Sequence, residues 1–84
     1  MRLDLLLKQS GIIKRRTVAK ALAENGKISI NGKVAKPSSE VKEGDILLLN
    51  LGMHVIEVEI HYEVKGKREV PTFAQLSKKK IDNA

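Results

Sequence analysis

The stretch RRTVAKALAENGKISINGKV, residues 15–34, contains the change of pattern that decides the fold. In its first half, Val18 and Leu22 lie one helical turn apart and form an apolar ridge, which Ala19 and Ala23 flank. Asn25-Gly26 then indicates a helix end, because glycine adopts the left-handed conformation easily. After the glycine, apolar and polar residues alternate as in a half-buried strand, and Asn31-Gly32 predicts a type I′ hairpin turn. We therefore expect a helix followed directly by a β-hairpin.

The flanking sequence extends this pattern to an α+β fold. Upstream, three leucines at helical spacing predict a short first helix over residues 2–10. Downstream, apolar runs at 46–49 and 55–61 predict further strands. Both helices are shorter than the ~12–15 residues at which an isolated helix becomes marginal, so packing must hold them. We expect two short N-terminal helices packed on a small, mostly antiparallel β-sheet.

The length and composition limit how the chain is organised. Its 84 residues provide one domain with a thin core. We place this domain at residues 1–64 and expect residues 65–84 to form a weakly structured basic tail. The absence of cysteine excludes disulfides and thiolate metal sites. No apolar run approaches the about 18 residues of a membrane-spanning helix, so we expect no membrane partner.

Positive charge is concentrated in the N-terminal part of the chain. The whole chain carries 16 basic and 10 acidic residues, a net charge of +6. Residues 1–36 contain nine basic and two acidic residues, whereas residues 37–84 contain seven basic and eight acidic residues. A one-sided excess of this kind, with a pI of about 9.8, favours a polyanionic partner.

The aromatic content narrows the type of polyanion. Tyr62 and Phe73 are the only aromatic residues, and both lie outside the basic part of the chain. A domain that stacks single-stranded bases needs several aromatic side chains. We therefore expect folded RNA, recognised through its backbone and shape. If six phosphates were neutralised, the logarithm of the affinity would fall with that of the salt concentration with a slope of about −4 to −5.

The basic residues around the start of the second helix are the strongest candidates for phosphate contact. Arg16 and Lys20 share one helix face, where two like charges cost a few tenths of a kcal/mol unless an anion lies between them. Arginine suits phosphate because its planar guanidinium binds two oxygens at once. By charge alone, a solvated basic face is the alternative explanation of the pattern. The predicted RNA-binding residues are Arg2, Lys8, Lys14, Arg15, Arg16, Lys20, Asn31, Lys33 and Lys36.

Two of these predictions have a simple structural alternative. Asn31 suits a hairpin turn by its conformation, whether or not its side chain reaches RNA. Arg2 can lie along the surface with its charged end in solvent. The local sequence leaves both alternatives open.

Signals for catalysis are weak in this sequence. His54 and His61 are seven residues apart, which places them on opposite sides of one continuous strand. Glu57 and Glu59 share a strand face, but no partner acid or base accompanies them. There is also no glycine motif of the kind that cradles phosphates. We predict no catalytic residue, no metal ligand and no cofactor.

Several separated blocks of this chain resemble the S4-type RNA-binding domain, which is named after a small-subunit ribosomal protein. These blocks are Arg2-Leu3-Asp4, Leu7, Arg15-Arg16-x-x-Ala19, Gly26-x-Ile28-x-Ile30-Asn31-Gly32, Pro37-Ser38 and Gly44-Asp45. Their order is much more specific than any single block. The resemblance implies the alpha-L RNA-binding motif, with Arg2 and Arg16 contacting RNA and Asp4 orienting Arg2 or touching a partner. Arg15 departs from the pattern, since many such domains have a serine helix cap there, and losing a cap costs ~1 kcal/mol.

Within that superfamily, the chain is similar to small stand-alone bacterial factors of ribosome quality control. The blocks that carry this likeness are 13–20, 28–32, 35–36 and 38–45. It implies a cytoplasmic, ribosome-associated and non-catalytic translation factor that binds large-subunit ribosomal RNA and tRNA. Such a factor would hold peptidyl-tRNA in the P-site of obstructed large subunits while a tailing factor of the RqcH type adds alanine. We expect a monomer.

Three alternatives follow from the same residues. One is a member of the related heat-shock family that takes part in ribosome recycling, although those proteins usually carry a longer basic tail. Another is a detached RNA-targeting module of an RNA-modifying enzyme such as a pseudouridine synthase. The third is an adaptor whose basic face meets an acidic protein.

Overall fold

The computed structural model describes residues 1–80. Their two helices and five strands confirm the predicted α+β fold. The elements are α1 (Leu3–Gln9), α2 (Arg16–Glu24), β1 (Ile28–Ile30), β2 (Lys33–Val34), β3 (Ile46–Asn50), β4 (His54–Lys65) and β5 (Arg68–Lys80). The strands form one sheet in the order β2-β1-β3-β4-β5, and every neighbouring pair is antiparallel. Within the described residues, neither helix is long and apolar enough to cross a membrane.

The second helix packs through the alanines that flank its predicted ridge rather than through Val18. Ala19 and Ala23 are its buried residues, and Leu22 is partly buried, whereas Val18 is 45% exposed. The small alanine side chains allow close packing, which the larger Val18 would prevent at that position. The first residue before the helix, Arg15, makes no side-chain capping bond, as expected of an arginine in place of a serine.

The hairpin after α2 forms as predicted. Asn31 and Gly32 both have positive φ, +50° and +86°, which is the conformation of a type I′ turn. Ile30 pairs with Lys33 across this turn. On its other side, β1 pairs with β3, so the hairpin is attached to the centre of the sheet.

Both helices cover the same face of the sheet. Alternate residues of β3 and β4, among them Leu47 and Ile60, are fully buried on that face. Leu3, Leu6 and Leu7 of α1 close the core above them and are also fully buried. The opposite face carries Ile46 and Leu48, which are 37% and 43% exposed. Among the described residues, no helix covers that second face.

The weakly structured tail predicted for residues 65–84 is wrong for most of its length. Residues 68–80 form β5, which pairs with β4 from Lys65 to His54. β5 is an edge strand, and this position tolerates Pro71, because a proline has no N–H to donate to a further strand. The pairing of β5 with β4 shifts its register between Glu57 and Val58. This shift interrupts the alternation of apolar and polar residues by which a strand is recognised in a sequence. Residues 81–84 lie outside the described part of the chain, and the domain boundary at residue 64 stays a prediction.

Tyr62 ties β4 to the loop that precedes β3. Its hydroxyl donates a hydrogen bond to the carbonyl oxygen of Val41 at 2.6 Å, and its backbone N–H donates to Oε1 of Glu43 at 2.9 Å. Burial, with the nearby carboxylates of Glu40 and Glu69, raises the pKa of Tyr62 to about 12. The phenol is therefore neutral in the folded protein far into the alkaline range.

This shift can be measured directly, because the chain has one tyrosine and no tryptophan. We expect the ultraviolet absorbance of the Tyr62 phenolate to appear with a midpoint near pH 12. The protein unfolded in guanidinium is the control, and its midpoint should lie near pH 10. Because the folded pKa is the higher one, the stability that Tyr62 contributes is complete below pH 10 and is lost as the pH rises towards 12. A folded-state midpoint near 10 would contradict the buried position.

Candidate nucleic-acid interface

The N-terminus of α1 is attached to the loop between β2 and β3. The N–H of Leu3 donates to the carbonyl oxygen of Ser39 at 2.8 Å, and the N–H of Asp4 donates to that of Pro37 at 3.1 Å. Arg2 forms a single antiparallel bridge with Glu40 in the same loop. These bonds satisfy N–H groups that a helix start leaves without an internal partner. They also place Arg2 beside the loop that carries Lys36.

Asp4 connects the two arginines that the sequence marked as RNA contacts. Its side chain is 3% exposed and accepts a hydrogen bond from Nε of Arg2 at 2.7 Å. Its other oxygen lies 3.4 Å from Nε of Arg16 on α2. Both arginine side chains are about half exposed, at 46% and 47%. A guanidinium has five N–H donors, so each arginine keeps donors for phosphate. We call Arg2 and Arg16 the arginine pair.

The carboxyl group of Asp4 is ionised at neutral pH. Burial by itself would raise its pKa, but three favourable contacts outweigh that effect. They are the hydrogen bond from Arg2, the hydrogen bond that the N–H of Leu5 donates at 2.8 Å, and the charge of Arg16. The pKa of Asp4 therefore lies below its ordinary value of 3.8. The site is a fixed anion between two cations, and this geometry suits the predicted orienting role of Asp4 towards Arg2 and extends it to Arg16.

The orienting role of Asp4 leads to a prediction that opposes simple electrostatics. Asp4→Asn removes one negative charge, which by itself favours binding to RNA. We expect the affinity for structured RNA to fall about tenfold instead, ~1.4 kcal/mol, because the arginine pair loses its fixed geometry. Glu24→Gln is the matched control, since exposed Glu24 lies near the same surface and pairs with Lys20 rather than with the arginines. Dissociation constants at one salt concentration provide the measurement, and a gain in affinity for both variants would contradict the orienting role.

A groove of about 550 Å³ lies next to the arginine pair, between the end of α2 and the β1–β2 hairpin. Its lining residues are Arg2, Ala23, Glu24, Gly26, Val34, Ala35, Lys36, Pro37 and Ser38. Lys20 lies one helical turn after Arg16 and 3.9 Å from Glu24 at this groove. We call this cavity the arginine groove. An open groove bordered by Arg2 and Lys36 suits a polynucleotide backbone better than a small enclosed substrate.

The structure brings some of the predicted site residues together and leaves others at a distance from the groove. The arginine pair consists of Arg2 and Arg16. The arginine groove is lined by Lys36, and Lys20 lies beside it next to Glu24. The remaining cations are exposed but do not line the groove, and their contacts with RNA stay predictions. These residues are Lys8 near the end of α1, Lys14 and Arg15 before α2, and Lys33 on β2.

Asn31 is explained by the fold. Its Nδ2 donates to Oδ1 of Asp45 at 3.0 Å, and its Oδ1 accepts from the N–H of Ile46 at 2.9 Å. Asp45 in turn accepts a hydrogen bond from the N–H of Lys42 at 2.8 Å. Asn31 thus joins the hairpin turn to the turn before β3. The structural alternative accounts for this residue, and a contact with RNA stays a prediction.

The sequence contained no local signal for the contact between Asp4 and Arg16. The two residues lie on different helices, and only the packing of α1 against α2 brings them to 3.4 Å. The involvement of Ala23, Gly26 and Val34 in the groove was likewise not predicted. Apolar and small residues carry no charge pattern that would mark them as part of an RNA surface.

Comparison with known proteins identifies relatives of this chain. Residues 1–47 match the family described as S4 domain. A protein of Halalkalibacterium halodurans named RQC P-site tRNA stabilizing factor is 46% identical over 80 residues, which are 93% of this chain and 91% of the relative. The Bacillus subtilis protein of the same name is 52% identical over 61 residues, 73% of this chain and 71% of the relative. The trimeric structure of Vibrio cholerae Heat Shock Protein 15 aligns with a TM-score of 0.74 and 26% identity, covering 92% of this chain and 82% of that one.

Proposed function

Since this chain belongs to the S4 domain family, and within it to the group of RQC P-site tRNA stabilizing factors, we propose that it stabilises tRNA in the P-site during ribosome quality control. The sequence resemblance to the S4-type domain, and to its RqcP-type quality-control factors, is confirmed by these relatives. The related heat-shock family also appears, as a structural neighbour. The proposed activity is binding, without a catalytic step.

The observation that carries this proposal is the arginine pair held by Asp4. Two half-exposed arginine side chains, one just before α1 and one at the start of α2, share one buried carboxylate, so their spacing is set before RNA arrives. Preorganised cations of this kind bind phosphates without a further ordering cost. Because an arginine pair with few aromatic neighbours reads the backbone rather than the bases, the fitting ligand is folded RNA.

We propose that the protein binds two RNA molecules at once, and the finer steps follow from this. One part of the basic surface would bind ribosomal RNA of the large subunit, and another would bind the tRNA. A bridge between the two would slow the departure of peptidyl-tRNA from an obstructed large subunit. A tailing factor of the RqcH type would then add alanine to the stalled peptide. This role places the protein on cytoplasmic ribosomes, and we propose that it acts there as a monomer.

Cross-linking in cells, followed by sequencing of the attached RNA, tests this function. We expect large-subunit ribosomal RNA and tRNA to be enriched together. A variant with Arg2→Gln and Arg16→Gln is the control, and both RNAs should disappear from its cross-links. Enrichment of messenger RNA alone would contradict the proposal.

A role in ribosome recycling is the second candidate, favoured by the structural likeness to Heat Shock Protein 15. Deletion of the protein separates the two roles. The quality-control role predicts that stalled peptides lose their alanine tails in the deletion strain, and the recycling role predicts that the tails remain. Reintroduction of the unchanged chain should restore the tails in the first case.

A further inference from the structure

The lysine triplet near the end of the chain belongs to the sheet. Lys78, Lys79 and Lys80 pair with residues 54–56, where β4 begins. All three side chains are exposed. Within residues 1–80, none of the three forms an ion pair. Within that part of the chain the triplet is therefore a set of cations without ion pairs, and a strand holds it at a defined position.

Lys27 reaches the same end of the sheet from the opposite side. Its carbonyl oxygen accepts the N–H of Asn50 at 2.8 Å. Asn50 pairs with Val55, and Val55 pairs with Lys79. A row therefore crosses the sheet from Lys27 through Asn50 and Val55 to Lys79. Neighbouring strands lie ~4.8 Å apart, so the backbones of Lys27 and Lys79 are about 14 Å apart. We call Lys27, Lys78, Lys79 and Lys80 the lysine row.

Lys27 and Lys79 lie on the face that the helices leave uncovered, because they share this row with Asn50 and Val55. Lys78 and Lys80 are the neighbours of Lys79 on the edge strand, so they point to the other side of that strand and flank its end. A second groove, of about 300 Å³, lies on the uncovered face and is lined by Lys27, Asn50 and Val55, among others. Gly26 and Val34 line both this groove and the arginine groove. The two grooves therefore meet at the edge of the sheet formed by β2. A polynucleotide could follow the surface from one groove to the other.

Acidic residues set a limit to this second surface. Glu57 and Glu59 lie further along β4, opposite Leu48 and Ile46 of β3, so they occupy the middle of the uncovered face. Their charge repels a phosphate backbone and confines it to the end of the sheet that carries the lysine row. At the tip of the β4–β5 hairpin, by contrast, Glu63 and Glu69 partly neutralise the three cations of residues 65–68.

We propose that the lysine row is a second phosphate-binding surface, which continues the RNA interface from the arginine groove around the β2 edge. Its ligand is the sugar-phosphate backbone of a structured RNA that is long enough to reach both surfaces. This inference rests on the proposed RNA-binding function and extends it. Cations on an exposed strand end contact backbone without reading sequence, so the lysine row adds affinity and salt dependence rather than specificity.

Two RNA hairpins and three variants test the lysine row by titration at several salt concentrations. One hairpin has a stem too short to reach both surfaces, and the other has a stem about twice as long. The row variant combines Lys78→Gln, Lys79→Gln and Lys80→Gln. The matched control combines Lys65→Gln, Lys67→Gln and Arg68→Gln, which removes the same charge from the other end of the same hairpin. A variant with Arg2→Gln and Arg16→Gln reports on the arginine pair.

We expect the row variant to bind the long RNA about tenfold more weakly and to reduce its salt slope by about 2 to 3. The short RNA should bind within about twofold of the unchanged protein, and the tip control should bind both RNAs in the same way. An equal loss for both RNAs, or an equal loss in the tip control, would show a general charge effect and overturn the lysine row. Undiminished binding by the row variant, with binding lost in the arginine variant, would reject the lysine row alone. Undiminished binding in the arginine variant would reject the proposed site itself.

Discussion

Replacing Arg16 with glutamate is expected to weaken the binding of structured RNA about hundredfold, ~2.7 kcal/mol. The change removes a guanidinium that is half exposed at the centre of the site. It also adds a carboxylate beside the ionised carboxylate of Asp4, so that the RNA phosphates would meet an exposed anion where they had met a cation. Titration of a fluorescent RNA hairpin at one salt concentration measures the loss. In cells, the same variant should no longer sediment with large ribosomal subunits.

Arg68→Glu is the matched control for this experiment. It changes the net charge by the same amount, but Arg68 is an exposed residue at the tip of the β4–β5 hairpin. We expect its affinity for RNA to stay within about threefold of the unchanged protein, because exposed charges beyond a Debye length of ~8 Å are largely screened. Arg16→Gln shows how much of the loss comes from the missing guanidinium and how much from the new carboxylate. If Arg16→Glu and Arg68→Glu had equal affinities, the arginine pair would not be the centre of the interface.

Leu6→Ala is expected to lower the free energy of unfolding by about 3 kcal/mol, because it leaves a cavity under α1. Leu6 is fully buried and belongs to the one hydrophobic core of this small domain. Domains of this size have a total stability of about 5–15 kcal/mol, so the loss is a large fraction of it. The midpoint of thermal unfolding should fall by about 15 °C. Circular dichroism during heating and denaturant titration provides both values.

The neighbouring residue on α1 is the control for this change. Leu5 is only partly buried, so Leu5→Ala removes the same atoms from a side chain that already touches solvent. We expect a loss of about 1 kcal/mol or less for Leu5→Ala. Equal losses for the two variants would mean that α1 does not pack on the sheet through the face described above.

Local sequence was sufficient where local geometry decides the structure. The Asn31-Gly32 turn requires two residues that accept positive φ, and few other pairs of residues accept it. The end of α2 was recognisable for the same reason. The buried face of α2 was misplaced by one position, because Val18 is more apolar than Ala19 but too large for the close approach of the helices.

Contacts between residues far apart in the chain could not be predicted from local sequence. β5 has few apolar residues, because much of this edge strand is exposed, so nothing in its own sequence distinguishes it from a solvated tail. Its structure comes from pairing with β4. The approach of Arg16 to Asp4 likewise depends on how two helices cross. The two arginines and a role of Asp4 beside Arg2 were predicted from charge and family likeness, whereas the contact of Asp4 with Arg16 required the fold.

The outer side of β5 has a consequence for how copies of this chain meet one another. Within residues 1–80, this strand of thirteen residues is paired on one side only, and its outer edge is a template onto which another molecule could add its own strand. Pro71 interrupts the row of amide donors along that template, and the three consecutive lysines repel the same segment of an approaching copy. The proline and the lysines therefore protect this edge strand against pairing with other copies of the chain. This protection weakens when the lysine charges are neutralised.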